Sequence, residues 1–309
     1  MIRLSKRIQL TGHKASIFAV GPDRETTSFL SAGGDGWIVR WNLDDPETGK
    51  LIARVDTQVF SLHYLPDKHW VIAGDMNGGV HWVDLDQPDK SRHIAHHQKG
   101  TFDICRVEDH VFTLGGQGVL TRWSITEARS LESMQLTHAS LRSVDYSPER
   151  RELAIGASDN SIYLLDAGSM AIRHHQEQAH DNSVFSVHYH PDGRHLLTGG
   201  RDAHLRIWSL TEQGLEPLKA LPAHYFTINS IAFHPEGRWF ATGSRDKTIK
   251  LWDAETFEIK QVLETSRDGC HLNSVNNLFW SPYGNQLISA SDDRSIILWE
   301  TEAARSSVL

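Results

Sequence analysis

Short runs of β-branched, aromatic and small residues recur along this chain, each only a handful of positions long and closed by turn residues. The clearest set lies between Ala223 and Asp253. Residues 228–233 form one run, a His-Pro-Glu-Gly turn follows at 234–237, and a second run covers 238–243. A turn through Arg245-Asp246-Lys247 leads to a third run at 248–252, and a fourth is expected near 258–263. Such runs, punctuated by Gly, Pro, Asn and Asp, predict strands a, b, c and d joined by hairpins. Polar and apolar residues alternate imperfectly within them, which predicts strands buried on both faces.

The pattern repeats. Trp41, Trp82, Trp123, Leu165, Trp208, Trp252 and Trp299 stand at steps of 41, 41, 42, 43, 44 and 47 residues. A period of ~40–45 residues holds four short strands and their turns, which is one blade of a β-propeller. Seven such units account for nearly the whole chain. The expected fold is therefore all-β: a single seven-bladed propeller over residues 1–309, with blades at about 11–50, 51–92, 93–135, 136–177, 178–220, 221–267 and 268–300. An open ring would expose blade faces and sheet edges. Residues 7–10 precede Thr11-Gly12-His13 as a strand d would, so residues 2–10 are expected to close the ring as the outer strand of blade 7.

Four polar positions recur at fixed offsets within the units. They are His13, Ser31, Asp35 and Trp41; His180, Thr198, Asp202 and Trp208; His224, Thr242, Asp246 and Trp252; and His271, Ser289, Asp293 and Trp299. A carboxylate in the b–c turn can accept from an imidazole in the d–a loop, while imidazole, hydroxyl and indole form a buried chain that is costly to break. These residues, with closings such as Ile249-Lys250-Leu251-Trp252-Asp253, resemble WD repeats across essentially residues 1–300. The resemblance implies a structural, not a catalytic, role for the His/Asp pairs. Val55 and Met76 in blade 2, Gln117 in blade 3, and Ile155 and Leu165 in blade 4 depart from the pattern, so blades 2 to 4 are expected to lack the full network and to be the least rigid.

Charge narrows the possibilities. With 31 Lys+Arg against 39 Asp+Glu the formal net charge is −8, which disfavours a general nucleic-acid or anionic-membrane partner. No apolar run approaches the ~20 residues of a membrane span, and no signal core or further domain is evident, so a cytoplasmic protein is expected. Cys105 and Cys270 are too few for a disulfide framework, lack a CxxC spacing, and are expected to be inert. No phosphate-cradling loop, nucleophile elbow or HExxH is present. His93, His96, His97, His174 and His175 cluster near expected connections, but no cysteine or arranged carboxylate is evident beside them. No catalytic residue, cofactor or metal is therefore expected.

A propeller presents rigid loops around a central channel, a platform for partner recognition. The residue that begins strand a is expected at the channel mouth on the face carrying the d–a and b–c loops. Phe18, Phe60, Phe102 and Phe185 take this place in blades 1, 2, 3 and 5, and Arg142, Asn229 and Asn276 in blades 4, 6 and 7. Four aromatics at one position exceed what 9% aromatic content supplies by chance. They either plug the mouth or bind. Gly34, Asp75, Gly116, Ser158, Arg201, Arg245 and Asp292, one before the turn acid, are expected to face the same surface. Arg201 and Arg245 form surface salt bridges there or, with Arg142, receive a carboxylate or phosphate beside an apolar anchor. Trp37, on a turn, either covers a neighbouring blade or extends this face.

The expected function is a non-catalytic scaffold binding a protein or peptide through Phe18, Phe60, Phe102, Arg142, Phe185, Arg201, Arg245 and Asp292, as a monomer or as a subunit of a larger complex. The alternative is an enzyme or a small-ligand or metal binder using the channel. Two narrower types do not fit the residues. Phosphoinositide-binding propellers carry Arg-Arg-Gly, whereas Arg150-Arg151 precedes Glu152, and the Trp-Asp-x-Arg of ubiquitin-ligase receptors is absent after Trp252-Asp253.

Overall fold

The computed structural model describes residues 2–303. It contains seven four-stranded antiparallel sheets, each ordered a-b-c-d outward from the central axis. In blade 6 these strands are Ile228–Phe233, Trp239–Ser244, Ile249–Asp253 and Ile259–Leu263, within a residue or so of the expected runs. The ring is closed by Ile2–Thr11, which pairs antiparallel with Ser295–Ala303 from Ile2↔Ala303 to Thr11↔Ser295. Strand c of blade 7 thus runs past the expected end at residue 300, because the closing strand gives residues 301–303 partners. Residues 304–309 lie outside the described residues, as does Met1. Leu4 and Leu10 of the closing strand are buried. The Gln261 amide, on strand d of blade 6, brackets Leu4: it accepts the Leu4 N–H and donates to its carbonyl, each at 2.8 Å.

Seven apolar clusters form the core, one between each pair of neighbouring blades. Ala241, Ile249 and Leu251 of blade 6, for instance, meet Leu278, Leu287 and Trp299 of blade 7. Strands b and c are consequently buried on both sides, which is the physical reason for their weak alternation. In the four complete units the polar chain is formed throughout. In blade 6, His224 Nδ1 lies 3.0 Å from Asp246, His224 Nε2 2.8 Å from Thr242, and Trp252 donates to the same hydroxyl at 2.9 Å. A neutral imidazole protonated on Nδ1 satisfies every contact, and burial holds His13, His180 and His224 below the usual histidine range despite their carboxylate partners.

Blade 3 departs from expectation in an informative way. His97, Thr113 and Trp123 keep the imidazole–hydroxyl–indole chain at 2.8 Å per link, and the Gln117 amide nitrogen lies 3.3 Å from His97 Nδ1. In blade 2 the Trp82 indole N–H has no acceptor among the described residues. In blade 4 Tyr163 donates to Asp159 at 2.7 Å and stacks on His175.

Candidate functional site

Strand a carries a bulge in every blade. Register slips across one residue between Ile17 and Ala19, Val59 and Ser61, Thr101 and Asp103, Leu141 and Ser143, Val184 and Ser186, Ile228 and Ser230, and Val275 and Asn277. The residue left unpaired is in turn Phe18, Phe60, Phe102, Arg142, Phe185, Asn229 and Asn276. A bulge frees its extra residue from the ladder and re-aims the side chain. All seven line the central channel, a cavity of about 600 Å³, and all are half-buried.

The ring they form is asymmetric. Phe18 meets Phe60 edge-on at 5.2 Å, and Phe60 stacks on Phe102 at 5.5 Å. The Arg142 guanidinium then lies 4.5 Å from the centre of Phe102 and 5.0 Å from that of Phe185, a double cation–π contact. On the opposite arc Asn229 and Asn276 bond across blade boundaries, to Val275 O at 2.8 Å and Ile17 O at 2.9 Å.

Charge around this mouth is unbalanced. Burial and the neighbouring Arg201 cation push Arg142 below the usual arginine range, and its Nε donates only to the Ser158 hydroxyl, at 2.8 Å. Arg201 and Arg245 are exposed, and among the described residues no carboxylate lies within 4.0 Å of Arg142, Arg201 or Arg245. The surface salt bridges considered for Arg201 and Arg245 are therefore not formed. Asp292 accepts from the Asn276 amide at 2.8 Å, which ties it to the ring. Asp75 does not face this surface: it is 2% exposed, because its carboxylate turns inward to accept the Asn77 and Gly79 N–H groups, each at 2.8 Å. Trp37 packs against the cluster between blades 7 and 1, with Lys14 Nζ 4.9 Å from its ring.

Three large apolar side chains on the same face were not selected from the sequence. Tyr225 is 88% exposed, Phe226 59% and Leu272 64%, on the d–a loops that follow His224 and His271. The Phe226 backbone carbonyl accepts from the Ser244 hydroxyl at 3.2 Å, which places this residue beside the Arg245 turn. The signal was available, since two aromatics directly follow a motif histidine where blade 5 has Asp181-Asn182.

Deeper in the channel lie His63, Asp103, Cys105, Asp145 and His188. Burial raises the Asp103 carboxyl to about 6, although it accepts the Val144 and Ile104 N–H groups at 2.9 Å. Burial opposes charge on His188 as well, but Asp145, 3.5 Å away, outweighs it and raises that imidazole. Burial lowers His63 to about 4. The Cys105 thiol is held well above its ordinary value by burial, and that of Cys270 is raised to about 12, so neither is an activated nucleophile. Of the histidine-rich stretches, His96 and His97 lie in the d–a connection before strand a of blade 3, while His93, His174 and His175 lie on outer strands d next to such connections.

Comparison with known proteins follows the same lines. The model of the WD domain, G-beta repeat, matches residues 173–209, 215–253 and 261–300. Each match starts within a strand d and ends within, or at the last residue of, the next strand c, so the sequence repeat is offset from the blade by one strand. A guanine nucleotide-binding protein subunit beta of Nicotiana plumbaginifolia is 24% identical over 218 residues, covering 65% of this chain and 58% of that protein. Its namesake in Saccharomyces cerevisiae is 25% identical over 217 residues, covering 66% of this chain and 49% of that protein. The chain thus spans about three-fifths or less of the length of these curated relatives. The crystal structure of the WD40 β-propeller domain of Doa1 superposes with a TM-score of 0.84 over 99% of both chains at 17% identity, a likeness of fold. Among the described residues no helix is long and apolar enough to cross a membrane.

Proposed function

From the premise that the chain is a WD-repeat protein closed as a seven-bladed propeller, we propose that it is a protein-interaction scaffold whose loop face around the channel mouth holds a peptide segment. The partner presents an apolar anchor to the arc of Phe18, Phe60, Phe102 and Phe185. It presents a carboxylate or phosphate to Arg142, Arg201 and Arg245. The observation that carries this reading is Arg142 held between two phenyl rings beside a second arginine, with no acidic partner for either among the described residues. Aromatics and arginine are the side chains enriched at binding hot spots, and Tyr225, Phe226 and Leu272 widen the same face with exposed apolar surface. The WD-repeat match and the distant G-protein β relatives support a scaffold in general terms; the peptide chemistry rests on the ring.

The test is selection of peptides on the whole protein, followed by measurement of the selected sequences on variants. Changing Phe102 and Phe185 together to Ala is expected to weaken binding by at least about 2 kcal/mol, and Arg201→Ala with Arg245→Ala to flatten its salt dependence. Selected peptides that bind the Phe variant as tightly as the original would defeat the proposal. A second reading, a small ligand held in the channel, is favoured by Asp103, Asp145 and His188 below the mouth. Native mass spectrometry that finds a bound small molecule, lost on Asp145→Asn but not on the Phe changes, would select it.

A further inference from the structure

Blade 2 lacks the histidine and the turn acid of the complete blades, yet it rebuilds a carboxylate–imidazole cluster elsewhere. Asp75 ends strand b (Trp70–Asp75), His81 lies on strand c (Gly79–Asp84), and His93 lies on strand d (Arg92–Ala95). His81 and His93 are directly paired across the ladder, and His81 sits opposite Ala73, two residues before Asp75. Since side chains two apart share a face, all three project from one side of the blade. Their ligand atoms lie within 4.8 Å of one another. His81 Nε2 is 2.7 Å from Asp75 Oδ2, and His93 Nε2 is 3.9 Å from the same oxygen.

The geometry points to a divalent transition-metal site, of the kind zinc occupies, formed by Asp75, His81 and His93. Tetrahedral ligands at ~2.0–2.1 Å from zinc stand about 3.3 Å apart, and the two separations bracket that value. The carboxylate is oriented for this role: Oδ1 is fixed by the Asn77 and Gly79 N–H groups, and Oδ2 is left facing both imidazoles. Outer hydrogen bonds of this type position metal ligands. Gly79 keeps the space clear, since a methyl group there would overlap Asp75 Oδ2 and His93 Nε2. His93 is 54% exposed and its ring stacks on His81 at 4.4 Å, so coordination requires that this outer ring swing inward and that the 2.7 Å His81–Asp75 pair open by about 0.6 Å to the tetrahedral separation. Both imidazoles border a groove of about 490 Å³ edged by Lys50, Arg54 and Arg92, which leaves the fourth position to water or a small anion.

A second trio, His190, Asp192 and His195, is equally compact but already committed. His190 Nε2 donates to the Ala254 carbonyl at 3.0 Å, and its Nδ1 accepts the Asp192 N–H at 3.1 Å. That ring has no nitrogen to offer, and the trio serves as a control.

The full chain, stripped with a chelator, is titrated with Zn²⁺ and with Co²⁺ while the visible absorption of cobalt reports the coordination geometry. One equivalent should bind with a tetrahedral-type spectrum. His93→Ala, on an exposed outer strand, should weaken binding at least about tenfold without changing the fold, and His81→Gln should do the same. His195→Ala should leave binding unchanged. Absence of binding by the unaltered chain, or equal stoichiometry and affinity in His93→Ala, would overturn the assignment.

Discussion

Replacing Asp246 by Ala tests whether the buried polar chains hold the blades. Its carboxylate accepts from His224 Nδ1 at 3.0 Å, from the Tyr225 N–H at 3.0 Å, and from the Thr248 N–H and hydroxyl at 2.9 and 2.6 Å. The Tyr225 N–H can turn to water, but the His224 side chain is fully buried and its Nδ1–H would be left with only a shared contact to Thr248 Oγ1 at 3.1 Å. An unsatisfied buried donor costs about 1–3 kcal/mol, and losing the bonds that fix the turn adds about 1–2 kcal/mol, so Asp246→Ala should destabilise by about 2–5 kcal/mol. At ~2.1 cal/mol/K per residue the unfolding entropy of this chain is roughly 0.65 kcal/mol/K, which converts the loss to about 3–8 °C in melting temperature. Asp246→Asn keeps one acceptor and should lose less than half of this. Gln117→Ala removes only the 3.3 Å amide contact to His97 and should cost about 1 kcal/mol or less. Hydrogen exchange should show blade 6 opening in Asp246→Ala while the other blades keep their protection. The folded-state pKa of Asp246 lies well below the ordinary carboxylate value. Its stabilisation is therefore complete above the unfolded pKa of ~4, and the gap between wild type and the Ala variant should narrow as pH falls below that. Equal losses for Asp246→Ala, Asp246→Asn and Gln117→Ala, or a gap independent of pH, would refute the reasoning.

Asp103, raised to about 6, carries a charge penalty above that pH which is relieved as pH falls through 6. Asp103→Asn keeps an acceptor for the Val144 N–H and should stabilise by about 1 kcal/mol at pH 8, the full shift being discounted because the channel admits water; melts at pH 8 and pH 5 should show the advantage shrinking, and a constant or negative difference would contradict it. Deleting residues 1–10 removes buried Leu4 and Leu10, worth about 1.5–3 kcal/mol each, together with the Gln261 link, and should lower the melting temperature far more than deleting 301–309. Equal effects would show that the first strand does not seal the ring. Exchange across the unaltered protein should find blades 2 and 4 less protected than blades 5 to 7, with blade 3 between them because it keeps three of its four polar groups. Uniform protection would remove the link between those groups and rigidity.

The period of the tryptophans, the strand and turn chemistry of each unit, and the His, hydroxyl, Asp and Trp offsets are all local in sequence. They were enough to determine seven blades, their antiparallel strands, the closing strand and the places of Phe18, Phe60, Phe102, Arg142 and Phe185 at the channel mouth. Register carries that information, since a fixed offset from the motif histidine puts the same residue on the bulge in every blade. Gln117 shows the limit of substitution reading, because an amide occupies the carboxylate's place while the rest of the chain persists. What the tertiary structure decided depends on distances between separate strands and blades: Arg142 between the phenyl rings of blades 3 and 5, the lack of a carboxylate near Arg201 and Arg245, the exposure of Tyr225 and Phe226, and Asp75 turned inward to His81 and His93. One residue of difference in where a carboxylate leaves the strand sends it to the opposite face of a sheet, and only the assembled blade shows which side chains wait there.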